Sequence, residues 1–130
     1  MKDLISVVVT CYNHQDYIEQ CLGSIFEQTY QNIELLVLDD GSTDKSAQII
    51  QETLADSPFQ TRFESHENMG VVKTRNKALQ QIQGTYFIFV DSDDFLDSDY
   101  IESFYTTMMQ EEADIVYGDL YDPEKKEVYL

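Results

Sequence analysis

Residues 4–44 read "LISVVVTCYNHQDYIEQCLGSIFEQTYQNIELLVLDDGSTD", and the architecture can be read from them. Residues 4–10 are a β-branched run of the kind that forms a strand buried on both faces. Within 13–30, Tyr17, Ile18, Cys21, Leu22, Ile25 and Phe26 recur at three- and four-residue steps, which makes one apolar helical face. Residues 33–40 are a second apolar strand that ends in two acids. Two buried strands separated by a helix call for a crossover connection, so the strands run parallel.

The rest of the chain repeats the pattern. Residues 41–56 open with Gly41, which permits a sharp turn, and Ser42 or Thr43 is the expected N-cap of a second helix. "FQTRFESH" (59–66) is a weaker strand, Gly70 to Gln83 a third helix, and "GTYFIFVD" (84–91) the strongest strand of all. A helix over 99–112 follows, with Asp97 and Asp99 expected to cap it. "ADIVYGDL" (113–120) is expected to be a last strand, and 121–130 to begin a hairpin. The alternation predicts a three-layer α/β/α fold around a mostly parallel sheet.

In such sheets ligands bind beyond the carboxyl ends of the strands, where the strand order reverses. The polar clusters Thr10–Asn13, Asp39–Asp44 and Asp91–Asp94 all follow strands, so one rim collects them. The first strand-to-helix turn has no GxGxxG and the chain has no GxxxxGK[ST], which removes the dinucleotide and P-loop phosphate sites.

The charge balance narrows the partners. With 8 basic against 25 acidic residues and a net charge of −17, the chain has no basic face for a nucleic-acid backbone or an anionic membrane. A polyanionic ligand would need a divalent cation to accompany it. The two cysteines, Cys11 and Cys21, lack metal-ligand spacing, and no secretory signal precedes the first strand. Both are expected as reduced, buried thiols of a cytoplasmic protein.

"DSD" at 91–93 places Asp91 and Asp93 at the end of a buried strand, where like charges repel. Carboxylates are hard oxygen ligands for Mg²⁺ or Mn²⁺, which would relieve that repulsion and bridge to phosphates. A calcium loop counted from Asp91 fails, because Phe95 and Leu96 stand where a ligand and a glycine belong. Asp39 and Asp40 suit either hydrogen bonds to a heterocycle or ribose, or a plain turn before a helix. Tyr12 offers a ring face for stacking a base. Lys73, Arg75 and Lys77 gather at the start of the third helix, near phosphate oxygens or as ordinary solvated charge. His14 and His66 fit no ligand spacing and are expected in surface loops.

The stretches 6–44, "ENMGVVKTRNKAL" (67–79) and "GTYFIFVDSDDFL" (84–96) together resemble the family 2 glycosyltransferases, inverting enzymes with the GT-A nucleotide-sugar-binding fold. Thr10–Cys11 departs from the many relatives that carry a proline beside this turn. The resemblance implies a nucleotide pocket lined by Thr10, Tyr12 and Asn13, with Tyr12 against the base. It implies that Asp40, supported by Asp39, bonds a uracil-type edge, that Arg75 lies near the diphosphate, and that Asp91 with Ser92 reaches the nucleotide-sugar. Asp93, with Asp91, would hold Mg²⁺ or Mn²⁺.

The donor implied is a UDP-sugar, although some relatives use other nucleotides, and the acceptor a glycan or glycoconjugate hydroxyl. Relatives carry the general base and most of the acceptor site downstream, so the resemblance puts the base beyond Leu130. Residues 1–130 are therefore expected to be one nucleotide-sugar-binding domain, the N-terminal part of a longer enzyme that accounts for any membrane association. Neither Asp114 nor Asp119 is assigned as the base. The rival readings are a Mg²⁺-dependent phosphotransferase of haloacid-dehalogenase type, a receiver-like signalling domain, and a non-catalytic nucleotide-binding module.

Overall fold

The computed structural model describes residues 3–116, 120–122 and 127–129. Four parallel strands, β1 (Ile5–Cys11), β2 (Ile33–Asp39), β3 (Gln60–Ser65) and β4 (Tyr86–Asp91), form one sheet in the order β3-β2-β1-β4. Between and after them run α1 (Ile18–Phe26), α2 (Ser46–Leu54), α3 (Val71–Leu79) and α4 (Tyr100–Glu111). Every residue of β1 and β2 is buried, as their continuous apolar sequence requires of strands covered on both faces.

Alternation along β1 sorts the core into two layers. Ile5, Val7, Val9 and Cys11 pack with Ile18, Leu22 and Ile25 of α1, Ile50 of α2 and Ile101 of α4. Val8 faces the other way, with Leu36, Leu38 and Ala78 of α3. Helices cover both faces, as expected of a three-layer α/β/α fold. Truncating one of these fully buried aliphatic chains to alanine costs about 2–5 kcal/mol. On the α3 face the buried Glu34 carboxylate accepts hydrogen bonds from Ser6 Oγ (2.5 Å) and Gln83 N–H (2.6 Å), which fixes the turn into β4.

Helix ends differ from the local reading. Ser42 and Thr43 do not cap α2; the cap position is Lys45, without a side-chain cap bond. The free amides before α2 are taken by residues of the β1–α1 turn instead. Asn13 Oδ1 accepts from Thr43 N–H (2.8 Å) and Asp44 N–H (3.3 Å), and Gln15 Oε1 accepts from Lys45 N–H (3.0 Å). At α4, Asp99 occupies the cap position but makes no side-chain cap bond. The buried Gln28 replaces it: its Oε1 accepts from Ile101 N–H (3.0 Å) and its Nε2 donates to the Asp97 carbonyl (2.6 Å).

The strand expected over 113–120 is not one at 113–116, where Ile115 is 82% exposed and has no ladder partner among the described residues. Glu112 enters the left-handed region (φ 50°) and ends α4. The short strands β5 (Leu120–Asp122) and β6 (Glu127–Tyr129) pair antiparallel, as the hairpin reading anticipates, while Leu130 at its end lies outside the described residues. Cys11 and Cys21 are free and buried. Among the described residues no helix is long and apolar enough to cross a membrane.

Candidate functional site

Strand order reverses between β1 and β4, since the chain winds outward to β3 on one side and places β4 on the other. At that point an open cleft of about 370 Å³ lies beyond the carboxyl ends of the strands. Its floor comes from Thr10, Cys11 and Tyr12 of β1 and its turn, one wall from Asp91, Ser92 and Asp93, and the other from Val71 and Thr74 of α3. Asp40 and His14 complete it. Register explains the convergence: Thr10 pairs with Leu38 on one side and with Asp91 on the other, so both neighbouring tips end level with it.

Past β4 the backbone tightens, with Asp94 N–H donating to the Asp91 carbonyl (3.0 Å) and Ser92 N–H to the Thr10 carbonyl (3.3 Å). The turn brings one carboxylate oxygen each from Asp91, Asp93 and Asp94 within 4.8 Å of one another, all on exposed residues. This spacing and hard-oxygen chemistry fit a Mg²⁺ or Mn²⁺ ion that keeps several waters. Burial, and then the negative charges of Asp93 and Asp91, push the Asp94 carboxyl up, while His14 pulls the other way. Among the described residues Asp91 has one ion-pair partner: Arg75 Nη2 lies 2.9 Å from its Oδ1, with the guanidinium 4.9 Å from the centre of the Phe89 ring.

The β2 tip is closed. Asp40, 5% exposed, accepts four hydrogen bonds, from Met69 N–H (2.8 Å) and His66 Nε2 (3.1 Å) on Oδ1, and from Gly70 N–H (3.0 Å) and Asn68 Nδ2 (3.1 Å) on Oδ2. Asp39, 1% exposed, accepts from Ser42 N–H, Ser42 Oγ and Ser65 Oγ at 3.1, 2.5 and 3.2 Å. The amides that open α3 thus meet a protein carboxylate.

The family model for glycosyl transferase family 2 matches residues 6–129. The chain belongs to that family. It is 40% identical over 121 residues to glycosyltransferase GlyA of Streptococcus pneumoniae, covering 93% of this chain and 17% of GlyA. The crystal structure of S. aureus TarS 1–349 in complex with UDP-GlcNAc superposes with a TM-score of 0.76 at 31% identity, over 85% of this chain and 32% of that one. A mannosyltransferase from Pyrobaculum calidifontis, PcManGT, solved with GDP-Man and Mn²⁺, shares the fold with a TM-score of 0.76 at 23% identity, over 95% of this chain and 37% of that one. The GT-A fold is therefore the one this family 2 chain adopts. The chain spans less than half the length of the curated relatives it matches first, 17%, 40% and 46% of them.

Of the residues singled out from the sequence, Thr10, Tyr12, Asp40, Asp91, Ser92 and Asp93 meet at the cleft of this family 2 domain. Tyr12 is half exposed there, with its ring free to present a face. Ser92 is buried and bonds to His14. Asn13, Asp39 and Arg75 are not part of the lining: Asn13, exposed and in the left-handed region (φ 54°), ties the β1–α1 turn to the segment before α2. Lys77 pairs with Glu64 (3.2 Å) and Lys73 is exposed, so of the three basic residues on α3 only Arg75 meets an acid of the rim. Asp114 is exposed after α4 and does not line the cleft. Asp119 lies outside the described residues, as does Leu130, the residue beyond which the general base is expected.

Both histidines carry more than the surface-loop reading allowed. His66 follows β3 directly and its side chain, 11% exposed, bonds to Asp40 and to Thr74 (3.2 Å). His14 lines the cleft. The strand-end rule that selected Asp40 would have selected His66 as well.

Proposed function

We propose that this domain binds the donor of a metal-dependent, inverting glycosyltransferase that moves a sugar from a UDP-sugar to the hydroxyl of a glycan or glycoconjugate acceptor, in cell-surface polysaccharide synthesis. The observation that carries the reading is the convergence of three open carboxylates with a half-exposed tyrosine at the switch point of a family 2 domain. Likeness to TarS, which was solved with UDP-GlcNAc, supports uridine as the nucleotide.

In this reading Asp91 and Asp93 hold Mg²⁺ or Mn²⁺, with Asp94 beside them. When bound, the cation supplies positive charge to the diphosphate that leaves the anomeric carbon. Tyr12 stacks on the base, and Thr10 and Ser92 border the nucleotide. A base N–H at Asp40 would share an oxygen with a donor already present, so Asp40 and Asp39 act chiefly by holding the loops that shape the pocket. Arg75, which pairs with Asp91, would supply positive charge near the diphosphate. The general base that deprotonates the acceptor belongs to a segment beyond Leu130.

Calorimetry with UDP, with and without Mn²⁺, tests the reading. Heat of UDP binding that needs Mn²⁺ and is lost in Asp93→Ala supports it. Trapping by beryllofluoride together with an absence of UDP binding overturns it in favour of phosphoryl chemistry at Asp91.

A further inference from the structure

His14 lines the cleft, and the proposed function gives it no task. Its Nδ1 lies 2.5 Å from Ser92 Oγ, a hydrogen bond in which the imidazole tautomer decides the donor. Its backbone N–H donates to Ser46 Oγ (3.0 Å), and its ring meets Tyr17 edge-on at 6.0 Å. The backbone of His14 is thus anchored to α2, and its ring rests against Tyr17 as it reaches Ser92.

Ser92 is the residue between the two proposed cation ligands. It is 1% exposed whereas Asp91 and Asp93 are exposed, so the hydroxyl is anchored inward while its neighbours point outward. The backbone around it is held by two further contacts: Ser92 N–H to the Thr10 carbonyl (3.3 Å), and Cys21 Sγ to the Asp91 carbonyl (3.6 Å). His14 adds a side-chain bond to the Ser92 hydroxyl, and it comes from a different strand's turn. A residue that fixes the orientation of metal ligands without touching the metal commonly changes affinity by an order of magnitude.

We infer that His14 is a positioning residue for the cation: by clamping the Ser92 hydroxyl under the β4 tip, it sets the separation and aim of the Asp91 and Asp93 carboxylates. This rests on the reading of those two acids as cation ligands.

The test titrates the protein with Mn²⁺ and follows the free-ion electron paramagnetic resonance signal, with thermal unfolding recorded for each variant. His14→Ala should weaken Mn²⁺ binding about tenfold in a protein that remains folded at the titration temperature, although the buried Ser92 hydroxyl loses its partner. His14→Asn, whose amide reaches the position of Nδ1, should restore most of the loss, a rescue that a merely structural role does not require. Ser92→Ala removes the same bond from the other side, and His14→Ala added to it should cost little more. Should His14→Ala not fold, Ser92→Ala and His14→Asn carry the comparison.

Wild-type Mn²⁺ affinity in a folded His14→Ala or Ser92→Ala variant overturns the inference and leaves the cation site standing, provided Asp93→Ala still abolishes binding. Binding equal in the wild type and Asp93→Ala, or none in the wild type, overturns both.

Discussion

The tips of β2 and β4 end alike in sequence and opposite in chemistry. Each closes an apolar strand with aspartates on the same rim of the sheet. At β2, Asp39 and Asp40 are 1% and 5% exposed and accept three and four hydrogen bonds from protein donors. At β4, Asp91, Asp93 and Asp94 are exposed and crowd one another, with Arg75 in reach of one of them. A carboxylate has about four lone-pair sites, and what matters is whether the fold fills them. The β2 acids are engaged by protein donors, with Asp40 at the edge of the cleft, and the β4 acids stand open to solvent.

Several measurements put this contrast at risk. The largest effect is expected beneath the open tip, where burial pushes the Cys21 thiol up to about 12, with Asp94 next in importance. Against the ordinary value of 9.0, the thiolate fraction near neutrality falls about a thousandfold. Iodoacetamide should therefore leave Cys21 unlabelled in the folded protein and label it rapidly in denaturant, as mass spectrometry would show. Because the thiol's value is raised, labelling of the folded form should climb only at strongly alkaline pH.

Asp40→Ala should lower stability by about 3 kcal/mol in urea titrations, because it strands several buried donors at once. Gly41→Ala should cost about 2 kcal/mol, since φ is +73° and a Cβ would lie 2.6 Å from Asn68 N. At the other tip, Asp93→Ala should abolish Mn²⁺ binding, and Asp91→Ala weaken it by more than about tenfold, while each shifts stability by under about 0.5 kcal/mol. The smallest change is expected from Lys77→Ala, which breaks a half-exposed pair with Glu64 and should cost under about 0.5 kcal/mol. A destabilised Asp93→Ala beside an intact Asp40→Ala would reverse the assignment of scaffold and site.

Periodicity and strand-end position made most of the architecture legible. β1, α1 and β2 follow from apolar patterning alone, because burial on both faces of a strand and on one face of a helix leaves a direct imprint. The acids of both tips were equally visible, and for the same reason they looked alike. His66 follows β3 just as Asp40 follows β2, yet ligand spacing, which it lacks, gives no sign of it. The caps misled in two ways. At α2 the first helical amide, Ser46 N–H, is taken by Asp44 Oδ1 (2.9 Å) and not by Ser42 or Thr43. At α4 Gln28, from another element, reaches the Ile101 amide in place of Asp99.

Local sequence suffices for the order of strands and helices, their buried faces, and the rim on which polar residues collect, all consequences of contacts between residues near in the chain. Tertiary contacts settle the rest: which acids stay open, which helix ends are capped from afar, and that His14 meets Ser92 across 78 positions. Hydrogen-bond partners so distant in sequence leave no periodic trace, and whether a carboxylate is filled or free depends on them.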